Sequence, residues 1–375
     1  MSPAPPSRRA FLSLPALAAA HAPARTVAVA RCREYSSEVL PALARMFDQL
    51  GGLSSLVRNK TVAIKLNLGG PASARLRHRP AELSNWVHPR VIGSILHLMD
   101  AAGARRIRLL EGARYTADPL AEHMLEAGWE PQDLLRAARR VELDNTNVAG
   151  PARRYELLKV PHPLVYPAFL LNPAYLDCDV FVSLAKLKEH LTTGITLSLK
   201  NCFGITPTSI YGDSAGPSEP DENPRGGRGA IFHAGSRQPS SCAPAEINPG
   251  FPRSPYWRVP RIITDIAAAR PIHLAIIDGI HSMAGGEGVA RPNARPASAG
   301  VLIAGLNPVN ADAVAAAVMG FDPRAPRGAP PFERCDSTLL LAEQRGLGSA
   351  DLSRIEIAGP PLKQLVYPFR QVSAP

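Results

Sequence analysis

Cysteine is scarce in this 375-residue chain, and none of its five cysteines belongs to a C-x-x-C pair. Such pairs commonly hold iron–sulfur clusters and zinc ribbons, so their absence argues against both kinds of site. The odd number of cysteines also leaves at least one thiol outside any disulfide. We therefore expect no cysteine-ligated iron–sulfur cluster, and we expect buried, unreactive thiols at Cys32 and Cys178.

Long apolar runs are also missing. Beyond the N-terminus, no segment has the ~20 consecutive apolar residues that a transmembrane helix needs. Hydrophobic residues make up 45% of the chain and charged residues 20%, which is typical of a globular protein with a sizeable core. The sequence therefore predicts no stable membrane span.

Acidic residues are too few to balance the basic ones, and the formal net charge is +10. The positive charges are mostly scattered arginines rather than one run, and no nucleic-acid-binding motif is present. This pattern predicts no nucleic-acid partner. The excess charge suits either acidic ligands or an arginine-rich surface without a specific partner.

The N-terminus has the anatomy of an export signal. Arg8 and Arg9 precede Phe11 and Leu12, and a short stretch rich in leucine and alanine follows. Paired arginines in this setting resemble the twin-arginine signal of bacterial export. We predict that residues 1–24 are such a signal peptide, that the twin-arginine export machinery is a partner, and that the protein is periplasmic or otherwise extracytoplasmic. The alternative is an ordinary amphipathic N-terminal helix.

The rest of the chain, 25–375, alternates between strand and helix patterns, which is typical of a single α/β domain. We predict a doubly wound, mostly parallel sheet with helices on both faces. The predicted strands are 25–30, 61–68, 106–110, 179–184, 273–277 and 301–304, and the predicted helices are 37–50, 89–102, 118–127, 131–139 and 309–319. Residues 205–260 are crowded with proline and glycine, which predicts a long irregular insertion of the kind that forms lids or disordered segments.

Charged and amide side chains follow several predicted strands. In open parallel sheets, ligands bind beyond the carboxyl ends of the strands. Four strand ends deliver polar residues to this edge: Lys65 with Asn67, Glu111, Lys186 with Lys188 and His190, and Asp278. The coincidence predicts a site at this edge of the sheet.

Positive charge is most concentrated just after the strand 179–184. Lys186, Lys188 and His190 are followed closely by Lys200 and Asn201. Cationic groups in one neighbourhood repel each other unless anions are present, so the cluster favours a carboxylate or phosphate ligand. A lysine held near other cations gives up its proton more easily, which suits a general base or nucleophile. We predict Lys186, Lys188 and His190 as catalytic residues, and a solvated loop of lysines is the alternative.

A divalent metal stays open at this stage. Asp278, Glu287 and Asp312 offer carboxylate oxygens, and His190 or His233 offers an imidazole. No compact metal-binding motif such as H-E-x-x-H is present. A turn at Asp278 and a charge at a helix N-terminus for Asp312 explain two of these residues equally well.

Several ordered motifs resemble the domain of unknown function 362 family, in its exported, twin-arginine branch. The matching pieces include KLN at 65–67, VSLAKLKEH at 182–190, SLKNCFG at 198–204, IDGI at 277–280 and GGEG at 285–288. The resemblance implies a single α/β domain and supports a site at the lysine-rich segment, without a settled reaction. Some family members carry a ferredoxin-like cysteine cluster, which this sequence lacks.

These observations define a candidate site and two classes of function. The predicted ligand-binding residues are Lys65, Asn67, Glu111, Lys200, Asn201, His233, Asp278 and Glu287. We expect a basic crevice for an anionic small molecule, either in a cofactor- or metal-dependent enzyme resembling an oxidoreductase or in a non-catalytic binding protein or assembly factor. The sequence leaves the cofactor open.

Overall fold

The computed structural model describes residues 25–150, 154–286 and 291–370. The predicted signal peptide and Glu287 therefore lie outside the described residues. In the part of the chain that is described, the strands are β1 Thr26–Arg31, β2 Thr61–Lys65, β3 Arg106–Glu111, β4 Val141–Asn145, β5 Glu156–Lys159, β6 Ala168–Leu171, β7 Val180–Lys186, β8 Lys188–His190, β9 Gly194–Thr196, β10 Leu274–Gly279, β11 Ser282–Ala284, β12 Arg295–Ala297, β13 Val301–Gly305 and β14 Glu356–Ala358.

The helices are interleaved with these strands. The α-helices are α1 Val39–Gln49, α2 Leu53–Val57, α3 Pro89–Ala101, α4 Leu120–Glu126, α5 Pro131–Arg136, α6 Ser198–Asn201, α7 Thr208–Tyr211, α8 Pro255–Ala269, α9 Pro308–Val318 and α10 Thr338–Gln344. A π-helix spans Gly229–Ala234. Short 3-10 turns occupy Ala81–Leu83, Ala113–Tyr115, Pro173–Tyr175, Cys202–Ile205, Leu352–Arg354 and Leu362–Gln364. None of the described helices is long and apolar enough to cross a membrane.

An eight-stranded sheet forms the centre of the molecule, in the order β14-β1-β13-β10-β7-β2-β3-β4. Strand β13 runs antiparallel to both of its neighbours, β1 and β10, whereas the other pairs are parallel. The pairs β5–β6, β8–β9 and β11–β12 form small ribbons outside it. The predicted α/β fold with a mostly parallel sheet is confirmed.

Two apolar cores cover the two faces of this sheet. Successive residues of the central strands alternate between them, as strand geometry requires, so that Ile276 belongs to one core and Ile277 to the other. Helices α1 and α3–α5 contribute to the first core, and α6 and α8–α10 contribute to the second. Strands β7 and β10 are buried along their whole length, as expected of parallel strands covered on both sides.

Two predicted boundaries differ from the structure for local reasons. The predicted strand 61–68 ends as β2 at Lys65, because the Leu68 N–H donates to the Glu111 carboxylate rather than to a neighbouring strand. Helix α8 begins within the predicted insertion and continues through Pro260. A proline inside a helix removes one backbone hydrogen bond. The carbonyl that Pro260 leaves free, that of Tyr256, accepts instead from the Asp336 N–H at 3.1 Å.

The segment 205–260 packs part of its chain into the second core. Phe232, in the π-helix, is fully buried. Its ring lies 4.9 Å from that of Tyr211, 5.3 Å from that of Tyr166 and 5.5 Å from that of Phe203, centroid to centroid. Aromatic pairs at such separations contribute beyond the area that they bury. Phe232 therefore ties this segment to the body of the domain.

Replacing Phe232 with alanine tests this packing. We expect the free energy of unfolding to fall by about 3–5 kcal/mol, because the substitution leaves a cavity among three other rings. Urea unfolding measures the change, with Leu157→Ala as the control because Leu157 is 52% exposed. An equally small effect of both substitutions would show that the segment does not fold with the core.

Candidate functional site

A cavity of about 330 Å³ opens near the carboxyl ends of β2 and β3. It is lined by seven of the predicted site residues, Lys65, Asn67, Glu111, His190, Lys200, Asn201 and His233. Further lining residues are Gly69, Gly112, Tyr115, Leu191, Thr192, Thr196, Phe203, Gly204, Arg228 and Arg291. We call this space the basic cavity.

The floor of the basic cavity is a buried ion pair between the ends of two parallel strands. Lys65, the last residue of β2, donates from Nζ to Glu111 Oε1 at 2.6 Å, and both side chains are almost fully buried. The same ammonium donates to the Leu66 carbonyl at 2.6 Å and to Asn201 Oδ1 at 3.4 Å. Its three donors are thus all engaged.

The Glu111 carboxylate is equally well satisfied. Its Oε1 also accepts from the Gly112 N–H at 2.9 Å, and its Oε2 accepts from the Leu68 N–H at 2.8 Å. Gly204 comes so close that a Cβ there would lie 3.1 Å from Lys65 Nζ. The pair is therefore enclosed by backbone, and its two charges neutralise each other.

Asn201 joins three elements beneath the cavity. Its Oδ1 accepts from Asn67 Nδ2 at 3.2 Å, and its Nδ2 donates to the Ser183 hydroxyl at 3.1 Å. The amide thus connects the start of the loop after β2, strand β7 and helix α6. A side chain with one acceptor and one donor group is required for both bonds.

The described lining residues of the basic cavity carry net positive charge. Lys200, Arg228 and Arg291 add to Lys65, whereas Glu111 is the one carboxylate among the lining residues that the structure describes. The Arg228 guanidinium is buried, and burial lowers its pKa. Its Nε donates to the Thr206 carbonyl at 3.0 Å, which fixes its position in the wall.

An aromatic ring lies among these cations. Lys200 Nζ is 4.7 Å from the centre of the Phe203 ring, and the Arg228 guanidinium carbon is 5.7 Å from it. Cations at such distances from a ring face are stabilised by its quadrupole. Phe203 therefore helps to hold two positive groups in one wall.

Two histidines face the cavity from different elements. His190 ends β8, and its Nδ1 accepts from the Thr192 N–H at 3.0 Å, which places the proton of the neutral ring on Nε2. His233 lies in the π-helix, where its N–H bonds to the carbonyl of Arg228, five residues earlier, at 3.2 Å. π-Helical turns are rare and often occur at functional sites.

A second polar cluster is closed, and its residues are not among those that line the basic cavity. Lys186 and Asp278 are fully buried, and Lys186 Nζ donates to Asp278 Oδ2 at 2.8 Å. The same ammonium donates to the Tyr35 hydroxyl at 2.8 Å and to the Glu82 carbonyl at 2.9 Å. Burial lowers the pKa of Lys186 and raises that of Tyr35 well above its ordinary value.

This closed cluster includes a neutral histidine. The His88 ring stacks on Tyr35 at 3.7 Å between centroids, and its Nδ1 accepts from the Arg90 N–H at 3.0 Å. Burial, followed by the charge of Lys186, lowers the pKa of His88 to about 3. Asp278 Oδ2 also accepts from the backbone N–H of His88 at 3.1 Å. The cluster thus links β7 and β10 to the loop before α1 and to the N-cap of α3, near the same end of the sheet.

Lys188 occupies a position behind the wall of the basic cavity. It is fully buried, and its Nζ donates to the backbone carbonyl of Asn85 at 3.1 Å and to Asn85 Oδ1 at 2.5 Å. The Asn85 amide in turn donates to the carbonyl of Gly69, a lining residue. Lys186 and Lys188 are not among the lining residues, although the Lys186 backbone N–H donates to Asn67 Oδ1, a lining group, at 3.4 Å. Their catalytic role stays a prediction.

Metal ligation has little support among residues 25–150, 154–286 and 291–370. No group of three or more His, Cys, Asp or Glu side chains in these ranges is placed to hold a metal ion. Asp278 is paired with Lys186, and Asp312 accepts from the N–H groups of Ser198 and Leu199.

The five cysteines are free thiols. Cys32 is buried as expected, and burial raises its pKa to about 11. Cys178 is half-buried rather than buried, and its sulfur accepts from Arg270 Nη2 at 3.0 Å. Both therefore stay protonated thiols at neutral pH.

Sequence reasoning missed several lining residues, including Tyr115, Thr192, Thr196, Phe203 and Arg291. Phe203 lies in the SLKNCFG segment that carries the family resemblance, but neither it nor Arg228 was assigned to the site. Thr196 stands out, because its hydroxyl is buried and has no hydrogen-bond partner within the described part of the chain. Nothing in the local sequence marks these residues, since tertiary folding alone brings them to one cavity.

The fold and the cavity together define an α/β protein with a basic ligand-sized space at the carboxyl edge of its sheet. The chain belongs to the family described as Domain of unknown function (DUF362), whose model matches residues 62–317. Membership of the family is thus confirmed, whereas its exported, twin-arginine branch stays a prediction. No curated protein matches the chain.

Two solved structures are similar at low identity. A protein from Thermotoga maritima shares 13% identity with a TM-score of 0.36, over 69% of this chain and 52% of that one. The lactate racemase apoprotein from Thermoanaerobacterium thermosaccharolyticum shares 11% identity with a TM-score of 0.35, over 73% of this chain and 54% of that one. The chain spans about half the length of these structures.

The Asp312 carboxylate accepts from the first two N–H groups of helix α6, and its burial leads us to predict that stability depends on pH. Burial raises its pKa to about 7, although the Ser198 and Leu199 N–H groups lower it. A carboxyl group whose pKa rises on folding stabilises the fold below its ordinary value near 4, and this contribution is lost as the pH rises through about 7. We expect the free energy of unfolding of the wild type, relative to Asp312→Asn, to fall between pH 4 and 7.

Urea unfolding at a series of pH values measures this difference. Asp48→Asn is the control, because Asp48 lies at an exposed position of α1. Parallel pH profiles for the wild type and Asp312→Asn would contradict the prediction.

Proposed function

We propose that this protein binds an anionic small molecule in the basic cavity. The observation that carries the proposal is the charge balance of the described lining, in which four cationic side chains face one carboxylate that is already paired with Lys65. A carboxylate or phosphate would offset this charge through charge-assisted hydrogen bonds. Lys200 and Arg228 are the residues that we expect to contact it.

The size and lining of the cavity support a small ligand. Its volume of about 330 Å³ is at the lower end of the range of about 300–1,000 Å³ for small-molecule sites. The unpartnered Thr196 hydroxyl offers a further hydrogen bond to such a ligand. The Lys65–Glu111 pair at the floor of the cavity is enclosed by backbone, so we assign it a structural role and not a role in a reaction.

An enzymatic role is the second candidate, and His190 is the observation that favours it. Histidine exchanges protons near neutral pH, and the Thr192 N–H holds this ring in one tautomer. A ligand bound in the cavity would lie beside it. A non-catalytic binding protein would use the same cations without this step.

Lys200→Met tests the binding proposal, with inorganic phosphate, acetate and oxalate as probes in isothermal titration calorimetry. We expect at least one probe to bind the wild type and to bind the variant about 10- to 100-fold more weakly, because a hydrogen bond to a charged group contributes about 1.5–3 kcal/mol. Lys363→Met is the control, since Lys363 is exposed and does not line the cavity.

Absence of binding by every probe, or equal binding by Lys200→Met, would overturn the proposal. Mass spectrometry of the bound anion separates the two candidate functions. Conversion that is lost in His190→Gln while binding persists would establish an enzyme, and binding without conversion would favour a binding protein.

We also propose that residues 1–24 direct export through the twin-arginine pathway. The paired Arg8 and Arg9 before Phe11 and Leu12 support this proposal. Replacing both arginines with lysine keeps the charge, so we expect the variant to accumulate in the cytoplasm while the wild type reaches the periplasm of a host with this pathway. Fractionation and immunoblotting measure the distribution, and equal export of both proteins would refute the assignment.

A further inference from the structure

Two apolar side chains stand at the mouth of the basic cavity. Tyr115 is 39% exposed and Leu191 is 40% exposed, although both line the cavity. Each side chain therefore borders both the cavity and the solvent, and we call this pair the cavity mouth. Apolar side chains that line the opening of a cavity offer surface that a bound ligand can cover.

Tyr115 is held there against its own backbone preference. Its φ is +62°, in the left-handed region that bulky residues rarely adopt. Residues kept in such conformations cluster at ligand-binding sites, where the surrounding structure fixes them. Glycine or asparagine would adopt this turn with less strain. The ring borders Gly227, where an added Cβ would lie 3.9 Å from Tyr115 Cζ, and it also lines the cavity.

The surroundings of Tyr115 fix the strained turn from several sides. Asn147 Nδ2 donates to the carbonyls of Ala113 and Thr116 at 3.1 and 2.9 Å, and Asn145 Nδ2 also donates to Thr116 at 2.9 Å. The Thr208 hydroxyl donates to the carbonyl of Tyr115 itself at 3.3 Å. Three side chains, two at or just beyond the end of β4 and one from α7, thus hold the backbone on both sides of the residue.

Leu191 is presented by a tight turn beside the candidate acid–base residue. It lies between His190, which ends β8, and Thr192, whose N–H holds the His190 ring. The hairpin β8–β9 fixes both ends of this turn. The Leu191 side chain thus lines the cavity next to His190 and Thr192 and is partly exposed to solvent.

We propose that the cavity mouth selects aromatic anions, with Tyr115 and Leu191 packing on the ring while the cationic wall binds the carboxylate or phosphate. This specificity rests on the proposed function, because it assumes that an anion occupies the basic cavity. The ligand class is an aryl carboxylate or aryl phosphate ester. Phe203, whose ring lies inside the wall, extends the apolar surface inward.

Matched probe pairs test this specificity by calorimetry: phenyl phosphate against inorganic phosphate, and phenylacetate against acetate. We expect the wild type to bind the aryl member of a pair about tenfold or more tightly, because burial of a ring removes apolar surface from water. Tyr115→Ala and Leu191→Ala should lose most of this preference and leave the affinity for inorganic phosphate within about twofold. Tyr115→Phe should retain the preference.

Leu157→Ala is the matched control, because it removes an exposed leucine that does not line the cavity. Equal affinities of the wild type for both members of each pair would overturn the aromatic specificity and leave anion binding intact. Binding of none of the four probes would overturn the proposed function as well. The two failures are thus distinguishable.

Tyr115→Gly provides a readout that a purely structural role would not produce. Glycine adopts positive φ without strain, and this gain offsets the greater conformational entropy of glycine in the unfolded chain, so we expect the midpoint of thermal unfolding to stay close to that of the wild type. The aryl preference should be lost in the same variant. A marked fall in the midpoint would show that the ring is needed for folding, and this outcome would overturn its assignment to specificity.

Discussion

The buried ion pair between Lys65 and Glu111 is the interaction on which the candidate site depends. It joins the ends of two neighbouring parallel strands, and its carboxylate also orders the backbone after each strand through the N–H groups of Leu68 and Gly112. Removing two charges from water is costly, and the cost is recovered only when every donor and acceptor is satisfied. Here that requirement is met, and the loops that line the cavity are fixed as a result.

Lys186 and Asp278 repeat this arrangement between β7 and β10, with a different outcome. Both pairs consist of a lysine and a carboxylate at the carboxyl ends of adjacent parallel strands. The first pair borders a cavity, whereas Tyr35 and the backbone around Glu82 close over the second. Charged residues at strand ends therefore serve two purposes in this fold: they line a binding space, and they cross-link the layers around the sheet.

This duality explains how far the sequence predicts the site. Strand patterns place Lys65, Glu111 and Asp278 at one edge, because parallel strands share the direction of their ends. The sequence does not show which of Lys186 and Lys200 lines the cavity. The hairpin β8–β9 reverses the chain between them, and Lys200 is the one that lines the cavity. Tyr115 and Arg228 were not predicted as site residues, because no local sequence pattern distinguishes them and only tertiary folding brings them to the cavity. Helix α8 was missed because a proline such as Pro260 normally ends a helix. In the fold, the Tyr256 carbonyl that Pro260 leaves free accepts from the N–H of Asp336, a residue far away in the sequence.

The position of His233 in the cavity wall depends on the number of residues in the π-helix Gly229–Ala234 as well as on their identity. The wider hydrogen-bonded ring of this helix accommodates one residue more than an α-helical turn would. Loss of a single residue from this turn would restore the narrower winding and rotate the following side chain by about 100° around the helix axis. His233 would then leave the wall that it shares with Arg228. A relative that lacks one residue of this turn would therefore present different side chains to a ligand, even if the rest of its sequence were the same.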